Sequence, residues 1–197
     1  MIAPFKELYN SVNKLPKELG AHIERSLLVG QQLAPIHQVC LDKVALGILA
    51  HDLARSTTDS DLLNYARKYH LPINRVELCH PMLLHGPVAA FWLENQYGVS
   101  DAEVIESVYW HTVGKRSMSD IAKLVFLSDK LDAQKIVRRP FLSKVMDLAI
   151  INLDHAIVEY LNNVLASLFK GGYLVHPESL FFRNELLANM KSEYRET

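Results

Sequence analysis

The chain has 197 residues, of which 49% are hydrophobic and 22% are charged, a composition typical of one globular domain that buries its own core. The formal net charge of −1 gives the surface no general attraction for nucleic acid or anionic lipid, so neither is expected as a partner. The two cysteines lie outside any CxxC pattern, the stretch MIAPFKELYN has no apolar signal region, and no apolar run is long enough to cross a bilayer, which together predict a cytoplasmic protein.

Helical signals follow one another along the chain and strand-like alternation is absent, so we predict an all-α fold. A first amphipathic helix is expected to follow Pro16 and to end before Pro35, because proline disrupts a helix interior. Ile23 and Leu27 belong to its apolar face.

The second predicted helix lies in the stretch 41–55, LDKVALGILAHDLAR, and begins near Asp42, which stands where an N-cap is expected. Its apolar residues recur at the spacing of one buried face, and that face runs directly into His51 and Asp52. A buried carboxylate is costly unless a cation or strong donors satisfy it, and a metal ion bound by His and Asp would do so. The alternative for this dipeptide alone is an ordinary helix end with a satisfied polar pair.

The polar segment 56–61 is expected to cap a helix that runs to about His70, and a short turn or helix after Pro72 leads to HPMLLHGP at 80–87. The helix that follows should stop at Gly98, a glycine suited to a helix C-terminus.

Ser100 and Glu103 form the S-x-x-E pattern of a capping box, which predicts a helix from there to His111. Ser119 is expected to cap the next helix, whose buried face continues to Asp129. After a connection marked by Pro140, we expect a helix over 154–170 and a final helix opened by Pro177.

Four further polar residues fall on the inward faces of these helices: His22, His85, His111 and Asp129. Each alone has a simpler explanation, because a single histidine is more often a hydrogen-bonded core or surface residue. Together with His51-Asp52 they form the order H…HD…H…H…D, which is that of HD-domain phosphohydrolases.

Four blocks carry a closer resemblance: AHDLAR at 50–55, LLHGPVAAFWL at 83–93, YWHTVG at 109–114 and GGYLVHPESL at 171–180. With them the chain resembles the YqeK family of HD-domain proteins, the bacterial symmetrical bis(nucleosyl)-tetraphosphate hydrolases. The resemblance implies a single HD-type helical bundle over 1–197, with a core from about 17 to 185 and a metal site between helices.

The same resemblance implies two bound metal ions, usually iron. His22, His51, Asp52 and Asp129 would bind one ion, and His85, His111 and Asp52 would bind the other, with Asp52 as the bridge. Such mixed His and carboxylate ligands suit iron, manganese or zinc better than calcium or magnesium. Two metals about 3.5–4 Å apart can clamp a phosphoryl group and activate water.

The expected reaction is the hydrolysis of diadenosine tetraphosphate to two ADP, with Asp52 and Arg55 as the catalytic residues. Arg55 lies one turn beyond His51, where it could bind a phosphate through two hydrogen bonds or remain a solvated helix-end charge. Two alternatives stay open: an HD-domain phosphohydrolase of another nucleotide, such as a monophosphate or a cyclic nucleotide, and a non-catalytic nucleotide-binding module. The protein could also act as a homodimer.

Further substrate contacts are expected from His80, Lys115 and Arg116, although His80 could instead order its loop and the two cations could be ordinary loop charges. His176 matches the family and could serve only to hold the last helix. The family usually has Lys at Arg55 and an acidic residue followed by Pro-Asn-Arg where this chain continues from Asp129 with KLDAQK, so substrate preference is the property that these departures affect.

Overall fold

The computed structural model describes residues 3–193, and this part of the chain folds into twelve α-helices and one short 3₁₀ helix, without a strand. The all-α prediction is confirmed. The first two residues and 194–197, which include the ends of the predicted domain, lie outside the described residues. In chain order the helices are α1 (Ala3–Val12), α2 (Lys17–Ile36), α3 (Leu41–Ala50), α4 (Asp59–Lys68), α5 (Arg75–Cys79), the 3₁₀ helix (Pro81–Leu84), α6 (His85–Asn95), α7 (Ala102–Trp110), α8 (Asp120–Lys130), α9 (Ala133–Arg138), α10 (Phe141–Ile151), α11 (Leu153–Lys170) and α12 (Pro177–Glu193).

Helix α3 lies at the centre of the bundle and contacts α1, α2, α6, α7 and α8. Its small residues allow these neighbours to approach closely: a Cβ added at Gly47 would lie 2.4 Å from the hydroxyl of Ser107 on α7 and 2.8 Å from Val125 on α8. Such dense packing leaves no room for a larger side chain. The C-terminal end of α3 therefore carries His51 into the interior, where the residue is fully buried.

Helix α1 was not among the predicted helices, yet it packs on α3 and places Leu8 and Val12 in the core, with exposures of 0% and 4%. Spaced four residues apart, these two side chains share one helix face. The buried core therefore begins before residue 17.

Three predicted helix boundaries were wrong. Pro35 lies inside the last turn of α2, where a missing N–H removes only one hydrogen bond from the ladder. The N-cap of α3 is Cys40 rather than Asp42, which lies in the first turn and faces the positive end of the helix dipole. The N-cap of α7 is Asp101, whose carboxylate accepts from Glu103 N at 3.1 Å.

The expected capping box at Ser100 and Glu103 is replaced because Glu103 directs its carboxylate to Lys43 Nζ, 2.7 Å away. The predicted caps of α4 and α8 are confirmed, with Thr58 accepting from Asp61 N and Ser119 from Ala122 N. Within residues 3–193, no helix combines the length and apolar character needed to cross a membrane.

Candidate metal centre

The structure brings all six predicted metal-binding residues together in the middle of the bundle. All are buried except Asp129, which is nearly so. They come from five different parts of the fold: His22 from α2, His51 and Asp52 from the end of α3, His85 from the start of α6, His111 from the end of α7 and Asp129 from α8.

Asp52 lies between two groups of imidazoles and directs one carboxylate oxygen to each. Its Oδ2 is 3.5 Å from His51 Nε2 and 3.8 Å from His22 Nε2, whereas its Oδ1 is 3.2 Å from His85 Nε2 and 3.7 Å from His111 Nε2. Asp129 completes the first group, with Oδ1 3.0 Å from His22 Nε2 and 3.7 Å from His51 Nε2.

His51 also has a ligand atom within 4.8 Å of those offered by Asp52 and His111. It therefore lies near both groups. Among the described residues of the centre, Asp52 is the one that directs a different carboxylate oxygen to each group.

Three of the histidines are held in one tautomer by their own helix ends. His51 Nδ1 donates to the carbonyl of Ile48 at 2.7 Å, and His111 Nδ1 donates to that of Val108 at 2.8 Å. His85 makes the same bond to the carbonyl three residues before it. Because the proton of this bond is on Nδ1, such a ring in its neutral form presents the lone pair of Nε2 to the centre, which is the arrangement of a metal-binding histidine.

The spacing of these lone pairs fits a bound cation. His85 Nε2 and His111 Nε2 are 2.9 Å apart, and burial lowers the pKa of His111 to about 3, so no proton on that ring bridges the two nitrogens. A metal ion held by His85 and His111 would satisfy both nitrogens at once. His51 Nε2 is buried and has no hydrogen-bond partner among the described residues, which fits an atom that a metal ion would satisfy.

The two carboxylates are ionised at neutral pH. Burial alone would raise the pKa of Asp52, but the charge of His51 and hydrogen bonds from the surrounding imidazoles hold it well below its usual value. Burial acts in the same direction on Asp129, where Lys130 and Lys135 outweigh it and lower the pKa. Lys130 Nζ donates to Asp129 Oδ2 at 2.7 Å and also to the main-chain carbonyl of His111, which joins α8 to the end of α7.

His22 is oriented by a residue that was not predicted as part of the site, Asp132. Its Oδ2 accepts from His22 Nδ1 at 2.8 Å, and its Oδ1 accepts from Arg25 Nε at 3.2 Å. The same Oδ1 caps α9 by accepting from Gln134 N and Lys135 N. A carboxylate behind a metal-binding imidazole fixes the ring and makes it a better donor. The signal was present as the acidic residue of KLDAQK, but its partner lies 110 residues away in sequence.

A cleft of about 700 Å³ opens over the centre, and four cationic side chains line it besides Lys130: Arg55, Lys135, Arg138 and Arg139. Among these, only Arg55 was expected at the site. Lys135 Nζ is 2.7 Å from Asp129 Oδ1. Glu18, Asp52 and Asp129 also line the cleft, so its five cations outnumber its three carboxylates. This excess of positive charge attracts anions and favours a phosphate chain.

Residues 19–134 match the family model for the HD domain. The chain belongs to the HD-domain family. Proteins named symmetrical bis(5'-nucleosyl)-tetraphosphatase are similar to it: one from Halalkalibacterium halodurans is 27% identical over 81% of this chain and 83% of its own length. One from Staphylococcus aureus is 27% identical over 85% and 86%, and one from Bacillus subtilis is 23% identical over 74% and 77%.

The HD-domain fold is also found in a crystal structure from Clostridium acetobutylicum, described as a predicted HD superfamily hydrolase involved in NAD metabolism. It superimposes with a TM-score of 0.88 over 94% of this chain and 97% of that one, at 18% sequence identity. This agreement in fold includes the helices on both sides of 19–134.

The remaining predicted contacts of this HD-domain protein lie outside the cleft. Lys115 pairs with Glu106 at 2.7 Å, and the guanidinium of Arg116 lies over the ring of Phe181. His80 lines a separate apolar pocket.

The buried imidazole of His176 lies within hydrogen-bond distance of the Asn74 side chain, at 2.6 Å, and accepts from Glu178 N at 3.2 Å. It therefore connects the start of α5 to the first turn of α12. Thr112, which was not predicted, places its hydroxyl 3.0 Å from His111 Nε2 and 3.3 Å from His85 Nε2. Its position directly after His111 in YWHTVG was the available signal.

Proposed function

We propose that this HD-domain protein hydrolyses diadenosine tetraphosphate at its central bridge and releases two ADP. The observation that carries the proposal is the position of Asp52 between two groups of metal-binding side chains, beneath a cleft lined by cations. The relatives named symmetrical tetraphosphatases, which align with most of this chain, support the choice of substrate.

The proposed centre holds two transition-metal ions, which we assign as iron, although the same donors also accept manganese or zinc. His22, His51, Asp52 and Asp129 would hold one ion, and Asp52, His85 and His111 the other. When bound, the two ions supply Lewis acidity to the phosphoryl oxygens and lower the pKa of water.

The side chains around the centre then have distinct tasks. Asp52 joins the two groups of ligands through its single carboxylate, and Lys130 holds Asp129 and the end of α7 in place through hydrogen bonds. Arg55 faces the cleft, where its planar guanidinium can bind two phosphate oxygens at once. Arg138 and Arg139 extend the positive lining outward and offset the charge that builds up on the departing ADP.

We further propose that residues 1–197 act as one HD-type domain in the cytoplasm, on a small-molecule nucleotide and without nucleic acid or a membrane as a partner. The hydrophobic cluster that joins α1 to α12 supports the single domain, and the net charge of −1 supports the absence of a polyanionic partner.

The reaction is tested by following diadenosine tetraphosphate with the metal-loaded protein on an anion-exchange column. ADP should be the sole early product, and Asp52→Ala should abolish it. Equal early amounts of ATP and AMP would refute the central cut. Rapid turnover of a mononucleotide, together with no turnover of diadenosine tetraphosphate, would favour an HD-domain phosphohydrolase of another substrate.

The metal assignment is tested separately by elemental analysis after reconstitution with iron or manganese. The protein should retain close to two equivalents, Asp52→Ala should lose both, and His111→Ala should preferentially lose one. His155→Ala is the matched control, because this histidine lies outside the centre at the start of α11. Protein without transition metal after reconstitution would refute the assignment.

A further inference from the structure

A second cavity adjoins the metal cleft and differs from it in chemistry. It has a volume of about 310 Å³ and lies against the face of α11 that carries Leu161, Val164, Leu165 and Leu168. Leu83 lines it as well. This size is at the low end of small-molecule pockets, whose walls are mostly apolar with a few polar groups.

Thr112 and Tyr160 line both cavities, so the second pocket begins beside the centre. The hydroxyl of Thr112 is 3.0 Å from His111 Nε2, which places the pocket next to the group formed by Asp52, His85 and His111. Burial and the nearby charge of Asp129 raise the pKa of Tyr160. Tyr160 therefore remains a neutral phenol and forms an uncharged partition between the two spaces.

The described lining of the second pocket contains no Lys, Arg, Asp or Glu, in contrast to the cleft, which Arg55, Arg138 and Arg139 line with exposed side chains. Two of its polar side chains are already engaged: Ser179 Oγ donates to the carbonyl of Val113 at 2.8 Å, and His176 is held by Asn74. His80 also lines the pocket. Its ring makes no hydrogen bond to another described residue and is available to a ligand.

We propose that this pocket binds one nucleoside of the nucleotide whose phosphates lie in the metal cleft, with His80 contacting the base. The inference rests on the proposed function for the position of the phosphates and adds the place of the nucleoside. An uncharged, flat and partly polar group suits an apolar pocket with a free imidazole, whereas a phosphate would lie there without a cation. His80 is thus assigned to the base rather than to the phosphate chain.

The test compares the binding of ADP with that of pyrophosphate, measured by calorimetry on the manganese-loaded protein. Val164→Phe fills the pocket from the half-buried position of Val164, and Ala166→Phe adds the same ring on the exposed side of α11. Val164→Phe should weaken the binding of ADP about tenfold or more, since small changes in an apolar pocket have effects of that order. Pyrophosphate should bind as to the wild type, and Ala166→Phe should change neither.

His80→Ala is a second variant that leaves the pocket walls in place, and it too should weaken ADP and not pyrophosphate. Unchanged ADP binding in folded Val164→Phe and His80→Ala, judged by circular dichroism, would overturn the pocket. Equal weakening of both ligands would also overturn it, because the effect would then lie in the cleft.

Wild-type turnover of diadenosine tetraphosphate, measured in parallel, separates the two proposals. If the wild type releases ADP from diadenosine tetraphosphate but the pocket variants bind ADP as the wild type does, the nucleoside pocket alone is refuted. Selective loss of ADP binding without turnover of that substrate supports the pocket and refutes the proposed reaction.

Discussion

Replacement of Asp132 should weaken the binding of one metal ion and leave the binding of the other unchanged. Oδ2 of this buried carboxylate accepts from His22 Nδ1, whereas Oδ1 accepts from Arg25 and from two main-chain N–H groups of α9. Asparagine retains Oδ1 with its three donors but replaces Oδ2 by an amide nitrogen, which cannot accept a proton from His22. Asp132→Asn therefore separates the orientation of His22 from the cap of α9.

The expected sizes follow from these contacts. Loss of a carboxylate behind a metal-binding histidine typically costs about 10–100-fold in metal affinity, or roughly 1.4–2.7 kcal/mol. In Asp132→Asn this loss should fall on the ion at His22, while the ion at His85 and His111 binds as before. Asp132→Ala should in addition lower the free energy of unfolding of the metal-free protein by roughly 2.5–4 kcal/mol, from an N-cap of about 1 kcal/mol and a charge-assisted hydrogen bond of about 1.5–3 kcal/mol.

Metal affinities can be measured by competition with a chromophoric chelator, and stability by urea unfolding of the chelator-treated protein. Asp120→Asn is a matched control, since Asp120 is an exposed residue of the first turn of α8. Two metal ions bound as tightly by Asp132→Asn as by the wild type would refute the role of this carboxylate. A loss of stability in Asp132→Asn as large as in Asp132→Ala would refute the separation of its two oxygens.

Two further predictions concern stability and packing. Burial lowers the pKa of His51, but Asp52 and Asp129 outweigh it and raise the pKa to about 10, so in metal-free protein the stability gained from charged His51 is present below about pH 6.5 and lost as the pH rises through about 10. Because a metal requires the neutral ring, the difference in Tm between metal-loaded and chelator-treated protein should widen from about pH 7 to about pH 9.5, and a constant difference would contradict this. Gly86→Ala would place a Cβ 2.8 Å from the carbonyl of Tyr109 and 3.3 Å from the ring of His111. It should therefore lower the free energy of unfolding by about 1–3 kcal/mol, measured by thermal melts, and release the metal at His85 and His111, measured by elemental analysis. Two retained metal equivalents would show that α6 and α7 can separate without cost.

The convergence of the six residues was predictable because each lies within a short local motif. His51 and Asp52 follow an apolar helix face, and His111 ends another, so periodicity alone placed them inward. Family resemblance then related motifs that are far apart along the chain. The all-α fold was equally accessible, since caps and helix-ending residues are local signals.

What the sequence did not reveal depends on contacts between distant segments. Asp132 orients His22 from 110 residues away, and Arg138 and Arg139 line the cleft beside His22 and Asp52, which precede them by far in the sequence. Lys115 was expected near the substrate, but its partner is Glu106 on the preceding helix. Periodicity describes which face of a helix is buried, and not which neighbour will meet a polar side chain on that face.

The bonds from Nδ1 of the three histidines to the carbonyls of their own helix ends limit how this centre can evolve. His51 and His111 are the C-caps of α3 and α7, and His85 closes the 3₁₀ helix. Cysteine or aspartate in these places could still reach a metal, but neither would supply the rigid second nitrogen that occupies the terminal carbonyl. A change of metal preference by exchange of any of these three histidines would thus also loosen a helix end.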